Sequence, residues 1–265
     1  MRDAGRATRV AAPTLPLILC YHKIDSRREL GVTRLAPRRF ARQMERFAAA
    51  GWRAVGADAL LATIRGTRMA GDRELVVTFD DAYRGLRNHA FPVLQSLGWP
   101  SLCFAITEYA GRLNRWDVAY GGRRFAHLSW RDMRKWEARG VSFGSHTATH
   151  PRLTWLDEGR LHRELSESRE ALASGCDRAA DLLSYPFGAA GARERTAAQA
   201  AGYGAAFGLA RRGAASPFEV PRLPVYVWSP RMPGAGLLAP AEWMAARATN
   251  GFAVGTTLIR RFGGE

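Results

Sequence analysis

Short apolar runs alternate with amphipathic stretches along most of this chain, and this alternation restricts the possible folds more than any other feature. Residues 75–79 form an apolar, β-branched run typical of a buried strand. The stretch from Pro37 has apolar residues at a spacing of three to four and is stopped by Gly51, as expected for an amphipathic helix. Strand-then-helix units of this kind predict a parallel sheet covered by helices.

The units follow one another from about residue 15 to residue 208. A chain of 265 residues fits one such domain, with residues 1–14 as a flexible N-terminal segment and an irregular C-terminal extension from about residue 211. Predicted strands cover residues 17–20, 52–55, 75–79, 101–106, 141–144, 182–185 and 204–208. Predicted helices cover residues 37–50, 57–65, a stretch after Asp81 up to Gly98, 129–139, 157–173, 193–201 and 240–248.

The chain is basic, with 39 Lys and Arg against 24 Asp and Glu, a formal net charge of +15. An apolar fraction of 47% excludes a disordered chain. The charge allows association with acidic surfaces, such as an anionic glycan or phospholipid. No basic run is interleaved with stacking aromatic residues, so nucleic-acid binding is not expected.

Three cysteines without CxxC spacing imply no disulfide framework. No apolar segment is long enough for a signal peptide or a membrane span. We therefore expect a cytoplasmic location for the chain as written, and a periplasmic or exported location if the true start lies upstream.

Polar residues that follow the strand runs should share one edge of the sheet, because ligands bind at the carboxyl ends of parallel strands. His22, the Asp80–Asp81 pair, His146 and the turn from Tyr185 occupy such positions. Three separate strands thereby bring acid, base or metal-binding groups to one face.

The aspartate pair and a histidine pair carry the chemistry. Adjacent side chains of an extended chain point to opposite sides, so one of Asp80 and Asp81 can bind a metal while the other stays a base. His146 and His150 are four residues apart, close enough for both imidazoles to reach one cation. A helix N-cap for the aspartates and exposed positions for the histidines are the structural alternatives. His127 is expected at a surface or helix position, with no role in the site.

Three segments together resemble the polysaccharide deacetylases with a NodB-like domain, carbohydrate esterase family 4. They are residues 78–81 (TFDD), His146–Thr147–x–x–His150, and residues 184–188 (SYPFG). Residues 19–24 (LCYHKI) and 221–224 (PRLP) resemble the branch associated with bacterial exopolysaccharides. The resemblance implies a deformed (β/α) barrel of about seven parallel strands and a divalent metal, usually Zn²⁺.

The resemblance also implies roles for individual residues. Asp80 would be the general base, and Asp81, His146 and His150 the metal ligands. Tyr185, Pro186 and Phe187 would line the substrate, with the Phe187 N–H binding the oxyanion. Asp117 is a further candidate for contact with the sugar.

Two departures from the family pattern lead to further candidates. The arginine that commonly opens the third motif is absent, and Arg222 is the proposed replacement. The usual late histidine is also absent, since no histidine follows His162, and we expect His22 to act as the general acid. The predicted function is metal-dependent removal of N-acetyl groups from an N-acetylated glycan or glycan precursor. The alternatives are a non-catalytic, metal-containing glycan-binding module and another amide or ester hydrolase on the same scaffold.

Overall fold

A parallel sheet forms the framework of the protein in the computed structural model, which describes residues 15–29, 31–115, 124–178, 181–209 and 216–231. Seven strands follow one another in the order β10-β1-β5-β6-β7-β8-β9, and β4 adds to the start of β5. A separate parallel pair joins β2 and β3. The strands are β1 (Leu17–Tyr21), β2 (Lys23–Ile24), β3 (Arg34–Leu35), β4 (Arg53–Ala54), β5 (Glu74–Phe79), β6 (Ser101–Ala105), β7 (Val141–Ser145), β8 (Leu182–Ser184), β9 (Ala205–Phe207) and β10 (Leu223–Pro224).

The sheet curls into a partly open barrel, which confirms the predicted deformed (β/α) barrel of about seven parallel strands. Phe207 of β9 forms a single parallel bridge with Val220, three residues before β10, so the two ends of the strand path approach each other. The helices that cover the sheet are α1 (Pro37–Ala49), α2 (Ala57–Ile64), α3 (Leu86–His89), α4 (Phe91–Ser96), α5 (Trp130–Glu137), α6 (Glu158–Gly175) and α7 (Ala192–Ala200).

Side-chain alternation along the strands divides the core into an inner and an outer layer. Val76 of β5 packs inside the barrel with Phe104 and Phe207, whereas Val77 packs outward against the helices. Successive side chains of a strand point to opposite faces, so the residues in step with Val76 continue along the inner face. Those residues are Thr78 and then Asp80, directly after the end of β5. The period of the strand therefore aims one carboxylate of the pair into the barrel.

Local sequence signals explain several helix boundaries. Ser129 and Asp132 form a reciprocal capping box at the start of α5. The side chain of Asp157 caps α6 by accepting a hydrogen bond from the Arg160 N–H. Pro37 occupies the first turn of α1, where its missing N–H costs no hydrogen bond.

The structure differs from the expected elements in three places. The helix expected between Asp81 and Gly98 is two short helices, α3 and α4, separated at Ala90, because Pro92 has no N–H to donate to the preceding turn. Strand β10 lies within the segment expected to be an irregular extension, and it pairs with β1. The two-residue strands β2 and β3 are too short to show a period. The predicted helix over 240–248 lies outside the described residues.

None of the helices in the described ranges is both long and apolar enough to cross a bilayer.

Candidate metal centre

The carboxyl ends of the parallel strands bring the predicted site residues to one place. His22 follows β1, the Asp80–Asp81 pair follows β5, and His146 follows β7. His150 lies four residues further, in the loop after β7. The expected convergence at one edge of the sheet is therefore present in the structure.

Asp81, His146 and His150 form a buried group of three potential metal ligands. Their donor atoms all lie within 4.8 Å of one another. Asp81 Oδ1 is 3.5 Å from His146 Nε2 and 3.7 Å from His150 Nε2. Donor atoms at ~2.1 Å from a tetrahedral ion would lie about 3.4 Å apart. One carboxylate oxygen and two imidazole nitrogens at this spacing fit a Zn²⁺-type cation.

The aspartates do not cap a helix, and the histidines are not exposed. Helix α3 begins at Leu86 with Gly85 at its N-cap, so neither aspartate caps a helix. His146 and His150 are only 2% and 4% exposed, so they are not surface histidines. The three proposed ligands thus form a buried cluster.

Hydrogen bonds from the protein orient the histidines. His146 Nδ1 lies 2.7 Å from the Ser184 carbonyl oxygen, which requires an N–H at Nδ1 and leaves Nε2 to face Asp81. The loop after β7 is tied by Thr147, whose hydroxyl accepts a hydrogen bond of 3.0 Å from the His150 N–H. The first contact fixes the direction of the His146 imidazole, and the second fixes the backbone at His150.

Backbone strain among the described residues is concentrated at this site. The non-glycine residues with positive φ are Asp81 (67°), Ala82 (50°), Thr147 (67°), His150 (63°) and Phe187 (60°). Each such conformation costs on the order of 1–3 kcal/mol and persists only where the surroundings enforce it. Two of the proposed ligands and the proposed oxyanion donor therefore depend on tertiary packing for their positions.

Asp80 lies beside the cluster and is held by Arg222. The two guanidinium nitrogens Nη1 and Nη2 each donate to one carboxylate oxygen at 2.8 Å. The Ser184 hydroxyl donates to the same carboxylate at 3.2 Å. Both oxygens are thus engaged by protein donors, while Asp80 Oδ2 lies 3.9 Å from His146 Nε2, at the edge of the cluster.

The Arg222 guanidinium is fully buried inside the barrel, where its carbon lies 5.2 Å from the Phe104 ring centroid and 5.9 Å from that of Phe207. Each of its five N–H donors has an acceptor, which offsets the cost of burying the charge. The acceptors are the two Asp80 oxygens, the hydroxyls of Thr78 and Ser184, and the Gly208 carbonyl.

The charges at the site follow from this geometry. Burial alone would raise the pKa of Asp80, but Arg222, and to a lesser extent His146, hold that pKa well below its ordinary value. Asp80 is therefore ionised at neutral pH. Burial lowers the pKa of His22 to about 4, against the opposing effect of Asp80, so this imidazole is neutral at pH 7. Burial also lowers the pKa of His146, as a neutral ligand requires.

The remaining predicted residues that the structure describes lie near the cluster. His22 has a ring nitrogen within 4.8 Å of the Asp80 carboxylate and the Cys20 sulfur. Phe187 contacts the His150 ring, with centroids 4.8 Å apart. Tyr185 is buried and donates to the Phe218 carbonyl at 3.2 Å, and Pro186 begins the 3-10 turn that contains Phe187. Asp117 lies outside the described residues.

Sequence reasoning missed two residues that shape the site. Ser184 bonds Asp80 through its hydroxyl and His146 through its carbonyl. His127, expected at a surface or helix position without a role, is 1% exposed, and its Nδ1 lies 2.5 Å from the Asp81 carbonyl oxygen. Ser184 belongs to the 184–188 segment that carried the resemblance, so the sequence did offer a signal for it. The residues that flank His127 in the sequence form no motif and give no such signal.

Comparison with known proteins agrees with this geometry. The family model for polysaccharide deacetylases matches residues 67–206, a segment that contains Asp80 and the three proposed ligands. YxkH of Bacillus subtilis (strain 168) is 24% identical over 201 residues, which cover 76% of this chain and 67% of YxkH. His22 and Arg222 lie outside the segment that the family model matches.

Solved structures share the fold. The deacetylase PplD of Streptococcus pyogenes superposes with a TM-score of 0.71 at 20% identity, covering 83% of this chain and 96% of PplD. IcaB of Ammonifex degensii gives a TM-score of 0.65 at 21% identity, covering 90% of this chain and 98% of IcaB. With the family model matching more than half of its length, the chain belongs to the polysaccharide deacetylase family, and it is a hydrolase of the carbohydrate N-deacetylase class.

Proposed function

We propose that this protein is a metal-dependent N-deacetylase that releases acetate from an N-acetylated glycan or glycan precursor. The observation that carries the proposal is the pairing of one ionised carboxylate, Asp80, with a separate cluster of three ligands. A hydrolase needs a base near the attacking water that is not itself consumed as a ligand. The Arg222 fork provides this separation, because it engages both oxygens of Asp80.

The ligand set favours Zn²⁺ as the metal. Two neutral imidazoles and one carboxylate are a common catalytic zinc set, and three protein ligands leave room for water and substrate. A bound Zn²⁺ would supply Lewis-acid chemistry, polarising the acetamide carbonyl and making water a stronger acid. Asp81, His146 and His150 would hold it.

The residues of the chain account for the remaining steps. Asp80 accepts a proton from the attacking water, whose oxygen forms a bond to the acetyl carbon. The tetrahedral oxyanion accepts a hydrogen bond from the Phe187 N–H, which lies in the first residues of a 3-10 turn and has no carbonyl partner within that turn. The C–N bond then breaks, and the amine leaves with the proton that the water lost.

His22 is the proposed carrier of that proton to the amine. Because the pKa of His22 is lowered to about 4, the ring is neutral before the reaction. It can act as an acid only after it has received a proton, and the Asp80 carboxylate within 4.8 Å is the proposed donor. His22 would therefore relay a proton within one turnover.

Acetate release after metal removal tests the proposal. The protein is stripped with a chelator, reloaded with Zn²⁺ or another divalent ion, and assayed on N-acetylglucosamine oligomers. We expect no acetate from the stripped protein, recovery with the correct metal, and loss of activity in Asp80→Asn. The matched control is Asp157→Asn, an exposed helix cap at which asparagine caps equally well.

Two outcomes would contradict the proposal. Tight oligosaccharide binding without turnover under any metal would indicate a glycan-binding module. Turnover of acetate esters, with no release from N-acetyl sugars, would indicate a different hydrolase on the same scaffold.

A further inference from the structure

A cavity of about 470 Å³ adjoins the metal cluster on the side of Phe187. Phe187 lines this cavity and also packs against the His150 ring, so a single side chain separates the cavity from a proposed ligand. The cavity belongs to none of the steps proposed for the reaction. A group bound there would lie next to the acetamide on the same substrate.

Specific contacts hold the walls of the cavity in place. The Tyr185 hydroxyl fixes one wall through its hydrogen bond to the Phe218 carbonyl. Gly188 forms another at a positive φ of 62°, and a Cβ at this position would lie 2.8 Å from the Leu209 nitrogen. A larger residue at position 188 would push the two loops apart, so the close approach depends on glycine.

The charge of the lining is positive. Arg195 lies 3.4 Å from Glu219, and this ion pair is close to neutral as a unit. Arg152, which also lines the cavity, has no ion-pair or side-chain hydrogen-bond partner among the described residues. Its guanidinium instead stacks over the Trp155 ring at 5.4 Å. Among the described residues that line the cavity, Arg152 is therefore the half-buried positive charge without a counter-charge.

A half-buried guanidinium without a counterion has lost part of its hydration and gained no partner. Its planar fork matches the oxygens of a carboxylate or a phosphate. The net charge of +15 for the whole chain would also attract such a substrate over a longer range. These observations point to an anion as the missing partner of Arg152.

We propose that this cavity is a subsite for a carboxylate or phosphate group on the unit next to the N-acetyl sugar, so that the substrate is an anionic glycan or glycan precursor. This inference rests on the proposed deacetylase function for the position of the neighbouring unit. Arg152 would contact the anion directly, and Trp155 would hold the guanidinium in place by stacking.

Three probes separate the sources of the anion. N-Acetylchitotetraose is neutral, a tetrasaccharide of alternating glucuronate and N-acetylglucosamine carries carboxylates, and an N-acetylchitotetraose phosphorylated at a 6-hydroxyl carries a phosphate on a unit next to an N-acetyl sugar. We expect kcat/KM on at least one anionic probe to exceed that on the neutral probe by about tenfold. The preferred probe identifies carboxylate or phosphate as the recognised group.

Substitution of Arg152 tests its role. In Arg152→Gln, the ratio of kcat/KM for the anionic probe over the neutral probe should fall about tenfold, mainly through KM. Arg152→Lys, which keeps the charge but loses the fork, should lie between wild type and Arg152→Gln. The control is Arg160→Gln, an exposed position on α6. An unchanged ratio in Arg152→Gln, or equal kcat/KM on all probes in the wild type, would overturn the inference.

A binding measurement separates this inference from the proposed function. Titration of the three probes into metal-loaded Asp80→Asn measures affinity without turnover. If the wild type releases acetate from no probe, the deacetylase proposal fails. The subsite would still be supported if Asp80→Asn binds an anionic probe with a tenfold lower Kd than the neutral probe, and if the double variant with Arg152→Gln loses this difference. Equal Kd values for all probes would overturn it.

Discussion

Arg222 and Asp80 meet through two hydrogen bonds of 2.8 Å although they are 142 positions apart in the chain. Asp80 ends one strand of the barrel and Arg222 directly precedes β10, so this pair forms only when both ends of the sheet are in place. The contact keeps the Asp80 carboxylate ionised and fixes its orientation. The Asp80 carboxylate is also buried, so removing Arg222 alone would leave a buried charge without a counter-charge. This destabilises the folded state more than replacing both residues with apolar ones.

Arg222→Lys should weaken catalysis and shift its pH dependence. Lysine keeps the charge but cannot donate to both oxygens, so the pKa of Asp80 should rise from its depressed value. We expect kcat/KM to fall about tenfold or more and its acidic limb to move to higher pH. A pH profile of acetate release checks this, with Arg169→Lys at an exposed ion pair as the control. An acidic limb at the wild-type pH would show that Arg222 does not set the charge of Asp80.

The same pair should contribute to stability. The pKa of Asp80 is lower in the folded chain than in the unfolded chain. Its contribution is therefore present above the unfolded value, near 3.9, and is lost as the pH falls through the folded pKa. Arg222→Ala should lower the free energy of unfolding at pH 7 by about 3–5 kcal/mol, measured by urea denaturation. A loss below 1 kcal/mol would mean that water replaces the guanidinium.

The two adjacent aspartates should differ in metal binding although their substitutions are chemically identical. Asp81→Asn removes a charged donor from the cluster, and we expect at least a hundredfold weaker metal affinity. Asp80→Asn should retain the metal, since both oxygens of this side chain face Arg222 and Ser184. Competition with a chromophoric chelator measures both affinities. Equal weakening in the two variants would place Asp80 among the ligands.

His22→Gln should reduce amide hydrolysis more than ester hydrolysis. An amine leaving group needs a proton, whereas p-nitrophenolate leaves without one, so a proton carrier matters only for the amide. We expect kcat on an N-acetyl oligomer to fall ~10²-fold or more, and turnover of p-nitrophenyl acetate to change little. Metal content is measured on the same sample to exclude loss of the cluster. Near-wild-type amide turnover, or equal losses on both substrates, would remove His22 from the proposed role.

The barrel and the convergence of Asp81, His146 and His150 were predictable from the sequence because both depend on local patterns. The β-branched run before Asp80 indicates a buried strand, and its abrupt polar end predicts a site at the edge of the sheet. The spacing of His146 and His150 is likewise visible in the chain. These signals need no knowledge of which strands pair.

The parts that could not be predicted depend on tertiary contacts. The short strand β10 shows no period, so its pairing with β1, which positions Arg222, is not readable locally. The positive φ angle of Phe187 is enforced by packing, since a bulky aromatic residue disfavours that conformation. His127 lies in a loop sequence without an apolar pattern, yet folding buries it beneath Asp81.

Burial of His127 should make the metal-free protein less stable in mild acid. The ring stacks on Tyr83 at 4.8 Å, and burial lowers its pKa to about 4. An unfolded histidine titrates near 6.5, so between these values the unfolded chain binds more protons than the folded chain. The stabilisation is therefore complete above about pH 6.5 and is lost as the pH falls towards 4. The loss amounts to about 3 kcal/mol for one such group.

Urea denaturation of the chelated protein between pH 4 and pH 7 measures this effect. His22, whose pKa is also lowered to about 4, and His146, whose pKa burial also lowers, contribute in the same direction, so the wild type should show the sum of three groups. The free energy of unfolding changes with pH because the unfolded chain binds more protons than the folded chain. In His127→Asn this difference should be smaller by up to one proton, so the slope should be shallower. His162→Asn, at an exposed position of α6, is the matched control and should leave the slope unchanged. If His127→Asn kept the wild-type slope, His127 would have to be protonated in the folded protein, and its ring could then no longer be the neutral support of the Asp81 backbone.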